Sequence, residues 1–150
     1  MLASQGWKRL LGIGAVAVLW TALFAIAYSQ SPLYTSNQNQ YFLHGLARAG
    51  YGSLNQDWLA NTRDPTPVFS LLVDLTYRAF DSLVVAYLYY ALLMGVYLFS
   101  LYGIAGQVFG IGKTRLSSLI FLSLMIVVHA AGLRFAFSRW IGSNWAYILE

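Results

Sequence analysis

Cysteine is absent from the 150-residue chain, which removes disulfide frameworks, thiolate metal sites and cysteine nucleophiles together. Charge is almost as scarce. Asp, Glu, Lys and Arg make up 9% of the residues, against roughly 25% in soluble domains, while 59% are hydrophobic and 17% aromatic. A water-soluble globule of this size would lack the charged side chains to cover its surface, whereas a lipid-facing one needs none there. Acids number five against nine basic residues, a formal net charge of +4. The cations are scattered singly around apolar runs, which excludes the phosphate-tracking stripe of a nucleic-acid-binding protein.

Composition therefore points to an all-α integral membrane protein, and three segments are long enough to cross a hydrocarbon core of about 20 residues. They run over about 10–28, 83–106 and 116–133. The second holds Tyr87, Tyr89, Tyr90, Tyr97 and Tyr102, which read as packing residues in a bundle, and the third carries His129 near its far end. An ionisable side chain inside a span is costly; placed near the helix end, His129 can reach interfacial water or a neighbouring tyrosine. Lys8 and Arg9 precede the first segment, and Lys113 and Arg115 lie between the second and third. The positive-inside rule then puts the N-terminus in the cytoplasm and the segment of about 29–82 on the outer face, periplasmic in a Gram-negative inner membrane. Arg134 and Arg139 fall on the outer side and run against that rule. Lys8, Arg9, the apolar run and Ala25-Ile26-Ala27 also fit a secretory signal peptide. The run is too long for one, and Gly14, Ala17, Thr21 and Ala25 form a small-residue stripe suited to helix packing in lipid. The aromatic stretch 138–150 reads as the approach to another span, so further transmembrane helices are expected from a longer chain.

About fifty residues between the first two spans far exceed a plain connector, and their aromatic content is not that of a disordered tract. Thr35 with Gln38, or Ser36 alone, supplies a helix start, and Gly50 with Gly52 a stop. Phe42, Leu43, Leu46 and Ala47 would form its apolar face, and Asn37, Tyr41, His44 and Arg48 a solvated one. Residues 53–64, SLNQDWLANTRD, read as a short turn or single helical turn. Thr66 then caps a second helix with Pro67 at its first position. Its apolar stripe is Val68, Leu71, Leu72 and Leu75, opposite Ser70, Asp74, Tyr77, Arg78 and Asp81. Asp74 and Arg78 are spaced for an i,i+4 pair, and Asp81 is placed to cap the second span. Both helices read as amphipathic and parallel to the membrane surface. No set of His and carboxylate residues has metal-ligand spacing. The glycines at 103, 106, 110 and 112 follow an apolar helix rather than a strand and lack P-loop spacing.

This layout resembles the start of a membrane glycosyltransferase of the C-type fold, in which one span is followed by a long outer loop with membrane-parallel helices and a catalytic acid. Asn37-Gln38-Asn39-Gln40-Tyr41-Phe42 is similar to the segment where that superfamily carries an acidic pair before an aromatic residue, with amides here in the acidic places. Leu54-Asn55-Gln56-Asp57-Trp58, followed by Asp64-Pro65 and Val68-Phe69-Ser70, is similar to a group of large bacterial membrane proteins with the same layout. The resemblance implies sugar transfer from a polyprenyl-phosphate donor at the outer face. Asp57 would be the catalytic carboxylate, acting as a base or through a divalent metal, with Asp64 second. Arg63, Arg78, Arg134 and Arg139 would hold the phosphate and Trp58 the substrate. The competing expectation is a non-enzymatic membrane subunit, its outer loop a docking or lipid-binding platform and its acids structural.

Overall fold

The computed structural model describes residues 2–29, 32–34 and 37–141, except the side chains of residues 2–5, 134, 138 and 141. The described residues are helical, with no strand: α1 (Leu2–Tyr28), α2 (Gln38–Ala49), a single 3-10 turn (Leu54–Gln56), α3 (Pro67–Phe80), α4 (Ala86–Phe109), α5 (Arg115–His129) and α6 (Ala131–Ile141). They fall into two compact units, one of residues 1–30 with 89–150 and the other of residues 31–88.

In the first unit α1 and α4 are long and apolar enough to cross a membrane, and α5 with α6 makes a third such stretch if the bent pair is taken as one. The expected third span is thus interrupted: Ala130 is extended (φ −61°, ψ 131°) and α6 departs from α5 by 51°. Phe24 of α1, Leu98 of α4 and Leu122 of α5 form the buried centre, with Trp20, Met94, Tyr102 and Phe121 around it. In hydrocarbon no hydrophobic force draws apolar helices together, so close packing and interhelical hydrogen bonds must do so. Part of the expected small-residue stripe serves this. A Cβ on Gly95 would lie 2.7 Å from the Thr21 hydroxyl, and Tyr90 donates to the Ala25 carbonyl at 3.3 Å. The Tyr102 and Ser118 hydroxyls share a 2.7 Å bond. The α4–α5 turn needs Gly110 (φ 68°) and Gly112 (φ 102°), and Thr114 then caps α5 by accepting the Ser117 amide at 3.1 Å.

The 31–88 unit is built on α2 and α3, whose buried residues are Phe42, Leu46 and Val73, joined by Leu83 from the turn before α4. Asn37 precedes α2; Thr35 and Ser36, the expected start, lie outside the described residues. Gly50 ends α2 in the left-handed conformation (φ 84°), its amide on the Ala47 carbonyl and the Tyr51 amide on that of Leu46.

Three details differ from the sequence expectation. His44 is buried against the 53–64 segment instead of facing solvent. On α3 Ser70, expected on the polar face, is buried with Val73 and Thr76, while the stripe of Val68, Leu71, Leu72 and Leu75 is exposed. Asp81 caps the C-terminus of α3 (φ 49°), its amide on the Tyr77 carbonyl, so α4 begins three residues later than expected, at Ala86, and ends at Phe109. The burial of Ser70 and Val73 follows from Gly45. A Cβ there would lie 2.5 Å from the Val73 Cβ and 2.6 Å from the Ser70 carbonyl oxygen. The two backbones are that close, and only a face of small and β-branched residues fits.

Gly45→Ala tests this contact. In an open helix the change stabilises by about 0.5–1 kcal/mol, the result expected for Gly103→Ala, where a Cβ meets nothing within 4 Å. At Gly45 overpacking against backbone outweighs that gain, with a net loss of about 1–3 kcal/mol. Protease sensitivity of the 50–66 segment in detergent reads the loss at Gly45, and thermal unfolding of the full chain reads the gain at Gly103.

Candidate functional site

The acids and the aromatic residue marked out by the sequence lie in the 50–66 segment joining α2 to α3. Asp57 leaves the 3-10 turn in extended conformation (φ −73°, ψ 130°). Its Oδ1 accepts the amides of Leu59 at 2.8 Å and Ala60 at 3.3 Å, the bond pattern by which an Asp side chain closes a turn. Asn61 fixes the same turn by donating to the carbonyls of Asn55 (3.0 Å) and Asp57 (2.7 Å), and Thr62 donates to that of Leu59. Asp57, Trp58 and Arg63 are all exposed. Arg63 forms no ion pair or hydrogen bond with another described residue.

Asp64 is the centre of the polar network, its side chain only 9% exposed. Oδ2 pairs with Arg48 at 2.7 Å, and Oδ1 accepts the Thr66 amide at 2.9 Å and the Ser70 hydroxyl at 3.1 Å. The cap of α3 is therefore Asp64, since Thr66 makes no side-chain capping bond. His44 Nδ1 lies 3.1 Å from the Ala60 carbonyl, which pins the segment onto α2. Burial acts to raise the Asp64 carboxyl. The Thr66 and Ser70 hydrogen bonds and the nearness of His44 and Arg48 outweigh it, and hold the group below its ordinary value of 3.8. Such a carboxylate is a weak proton acceptor.

The other charges are spent on the fold. Arg78 binds Asp74 through Nε at 2.5 Å and also donates to the Arg48 carbonyl, a cation at the C-terminus of α2 where the helix dipole favours one. Asp81 accepts a hydrogen bond from the Tyr77 hydroxyl, which with burial raises that phenol above its usual 10.0. A groove of about 290 Å³ opens between the N-terminal ends of α2 and α3, lined by Gln38, Tyr41, Phe42, Thr66 and Phe69. Phe42 and Phe69 stack in it at 5.9 Å, and none of the acids reaches it.

The structure thus brings Asp57, Trp58, Arg63 and Asp64 into one short segment and puts Arg78 at the far end of α3. Arg139 is an exposed residue of α6 in the other unit, and the Arg134 side chain lies outside the described residues. No three His, Asp or Glu side chains converge among the described residues as a metal site built from protein ligands alone requires. The sequence reading missed Arg48 and Ser70 as partners of Asp64. The available signal was Gly45 in the middle of α2 facing the small-residue row 70, 73 and 76.

The Asp64 geometry has a pH consequence. A carboxyl held below its unfolded value contributes stability that is complete above about 3.8 and lost as pH falls through its folded value. In acid titrations followed by hydrogen exchange at the start of α3, Asp64→Asn should lower protection at pH 7, and the gap from the unaltered chain should narrow below pH 3.8. Against known proteins, no family model matches this chain, nor does any curated sequence or solved structure.

Proposed function

We propose that the chain is a bacterial inner-membrane protein with three spans, α1, α4 and the bent α5–α6 pair. Its N-terminus is cytoplasmic and its 31–88 unit lies on the outer face. In this reading it is the N-terminal part of a glycosyltransferase of the C-type fold or a close relative, and the sugar donor is a polyprenyl phosphate. The apolar side chains exposed along α1, among them Leu10, Val18 and Ile26, offer surface to lipid or to further transmembrane helices.

The observation that carries the catalytic part is the standing of Asp57 among the four carboxylates of the unit. Asp64 and Asp74 are ion-paired and Asp81 binds a phenol. Asp57 alone among them is exposed with only backbone amides on its side chain. It is the carboxylate left able to take a proton from an acceptor hydroxyl as that oxygen attacks the anomeric carbon. The bond from that carbon to the phosphate oxygen breaks, the phosphate departs with the electron pair, and Arg63, which pairs with no other described residue, is the cation in the same segment. Trp58, 77% exposed, presents an aromatic face to a sugar ring.

A second reading has its own observation. Asp57 closes the 57–60 turn, which is the structural role expected in a non-enzymatic subunit whose outer unit is a platform. Asp57→Asn separates the two, because the amide oxygen can still accept the Leu59 and Ala60 amides while the base is gone. Transfer from a polyprenyl-phosphate sugar should fall by about 10²–10⁴-fold with the fold intact, and Asp74→Asn should retain turnover. Full activity of Asp57→Asn would leave the carboxylate as a turn residue and favour the platform.

A further inference from the structure

The long helix α4 buries one face and leaves the opposite one bare. Gly95, Leu98 and Ala105 are buried, Gly95 against Thr21 of α1 and Leu98 beside Phe24 and Leu122. On the other side of the helix lie Leu93, Val96, Ser100, Gly103 and Gln107, all exposed. Their positions advance by three and four residues in alternation, which is the seam along which one helix pairs with another in a left-handed crossing.

Lipid is a poor cover for this seam. Leu93 and Val96, 65% and 66% exposed, suit hydrocarbon, but the Ser100 hydroxyl and the Gln107 amide form no hydrogen bond with another described residue. A polar side chain turned to acyl chains without a partner is costly, and a neighbouring transmembrane helix is what satisfies it. At Gly103 an added Cβ would meet nothing within 4 Å, so a second backbone has room to approach there.

The chemistry of the seam selects its partner. It carries no charge, so nothing in it calls for a helix of opposite charge. A hydroxyl and a primary amide each both donate and accept, so each is satisfied by an identical group. Copies of one chain enter a bilayer in the same direction, which makes their α4 helices parallel. A twofold axis between parallel helices in register then sets every seam residue against its own counterpart. Ser100 and Gln107 pair with themselves across that axis, as a polar seam residue fixes register and strand number in a coiled coil.

We propose that the Leu93, Val96, Ser100, Gly103 and Gln107 face of α4 joins two copies of this chain into a parallel dimer within the membrane. The inference rests on α4 crossing the membrane and is independent of any transfer chemistry.

Because the chain has no cysteine, single substitutions report contacts in the full chain reconstituted in phosphatidylcholine vesicles. Under mild oxidation Val96→Cys, Ser100→Cys and Gly103→Cys should give about fivefold more disulfide-linked dimer than control sites. The controls are Val108→Cys on the flank of α4, Val18→Cys on α1 and Leu124→Cys on α5, where the native side chains are 64%, 70% and 51% exposed. Energy transfer between chains labelled at Asn61→Cys and diluted in lipid reads the affinity. Gln107→Leu and Gly103→Leu should each weaken the dimer about tenfold, and Gly103→Ala, still small, should keep it. Spin-labelled lipid should quench a fluorophore at Val108 or Val18 and spare one at Ser100. No quenching at Val108 and Val18 would overturn the membrane reading and the dimer with it. Quenching at all three sites without cross-linking would overturn the dimer and leave α4 in the bilayer. A seam shielded from lipid that forms no cross-link would belong to a different transmembrane helix, which overturns the second copy. Equal cross-linking at seam and control sites would reduce the dimer to random collision.

Discussion

The absence of a side chain at Gly45 sets the distance between α2 and α3, and the rest of the 31–88 unit is arranged around that distance. With the backbones this close, α3 can turn only Ser70, Val73 and Thr76 inward. The Ser70 hydroxyl thereby comes within reach of Asp64, and Asp64 within reach of Arg48, so the cap of one helix becomes the tie to the other. The 50–66 segment is held in place by what it caps, by His44, and by Leu54 and Tyr51, which pack on the α2–α3 core and on Tyr77. A steric allowance at one residue therefore decides where the charged residues of the whole unit sit.

The two units are held by different forces. Around Phe42, Leu46, Val73 and Leu83, burial of apolar area removes surface from water, at roughly 1.5–3 kcal/mol per large side chain. Around Phe24, Leu98 and Leu122 the same residue types would exchange lipid contact for protein contact, which gains little. Aromatic hydroxyls do the joining there, from Tyr90 to a carbonyl of α1 and from Tyr102 to Ser118. Tyr90 and Tyr102, which read as packing residues in the sequence of α4, make its hydrogen bonds to α1 and α5.

What could be read in the sequence was what depends on local rules. The apolar runs, the Gly50 stop, Pro67 at the start of α3 and the Asp74–Arg78 pair all follow from spacing within one helix. The misreadings share a cause. Hydrophobic periodicity identifies the apolar stripe of α3 but not that Ser70, on the other side, is buried against α2, because that depends on Gly45 in another helix. Its place on the polar face of α2 makes His44 read as solvated, yet its partner is the Ala60 carbonyl, 16 residues away. The Arg48–Asp64 pair spans the same separation, which helical spacing cannot reach.

The break after His129 has its own consequence. A helix that stops leaves its last carbonyls without amide donors, and among lipid tails there is no water to replace them. Here the ring nitrogen Nδ1 of His129 sits 2.9 Å from the Met125 carbonyl and the Ala130 amide reaches that of Val127, while Nε2 lies 3.3 Å from the Tyr97 hydroxyl. The imidazole packs edge-on to the Phe24 ring, with Tyr28 and Tyr97 around it. Of these contacts only the Ala130 amide reaches a carbonyl of the last turn; the His129 ring instead folds back on its own helix and packs against residues of α1 and α4, so the corner is fixed by one side chain.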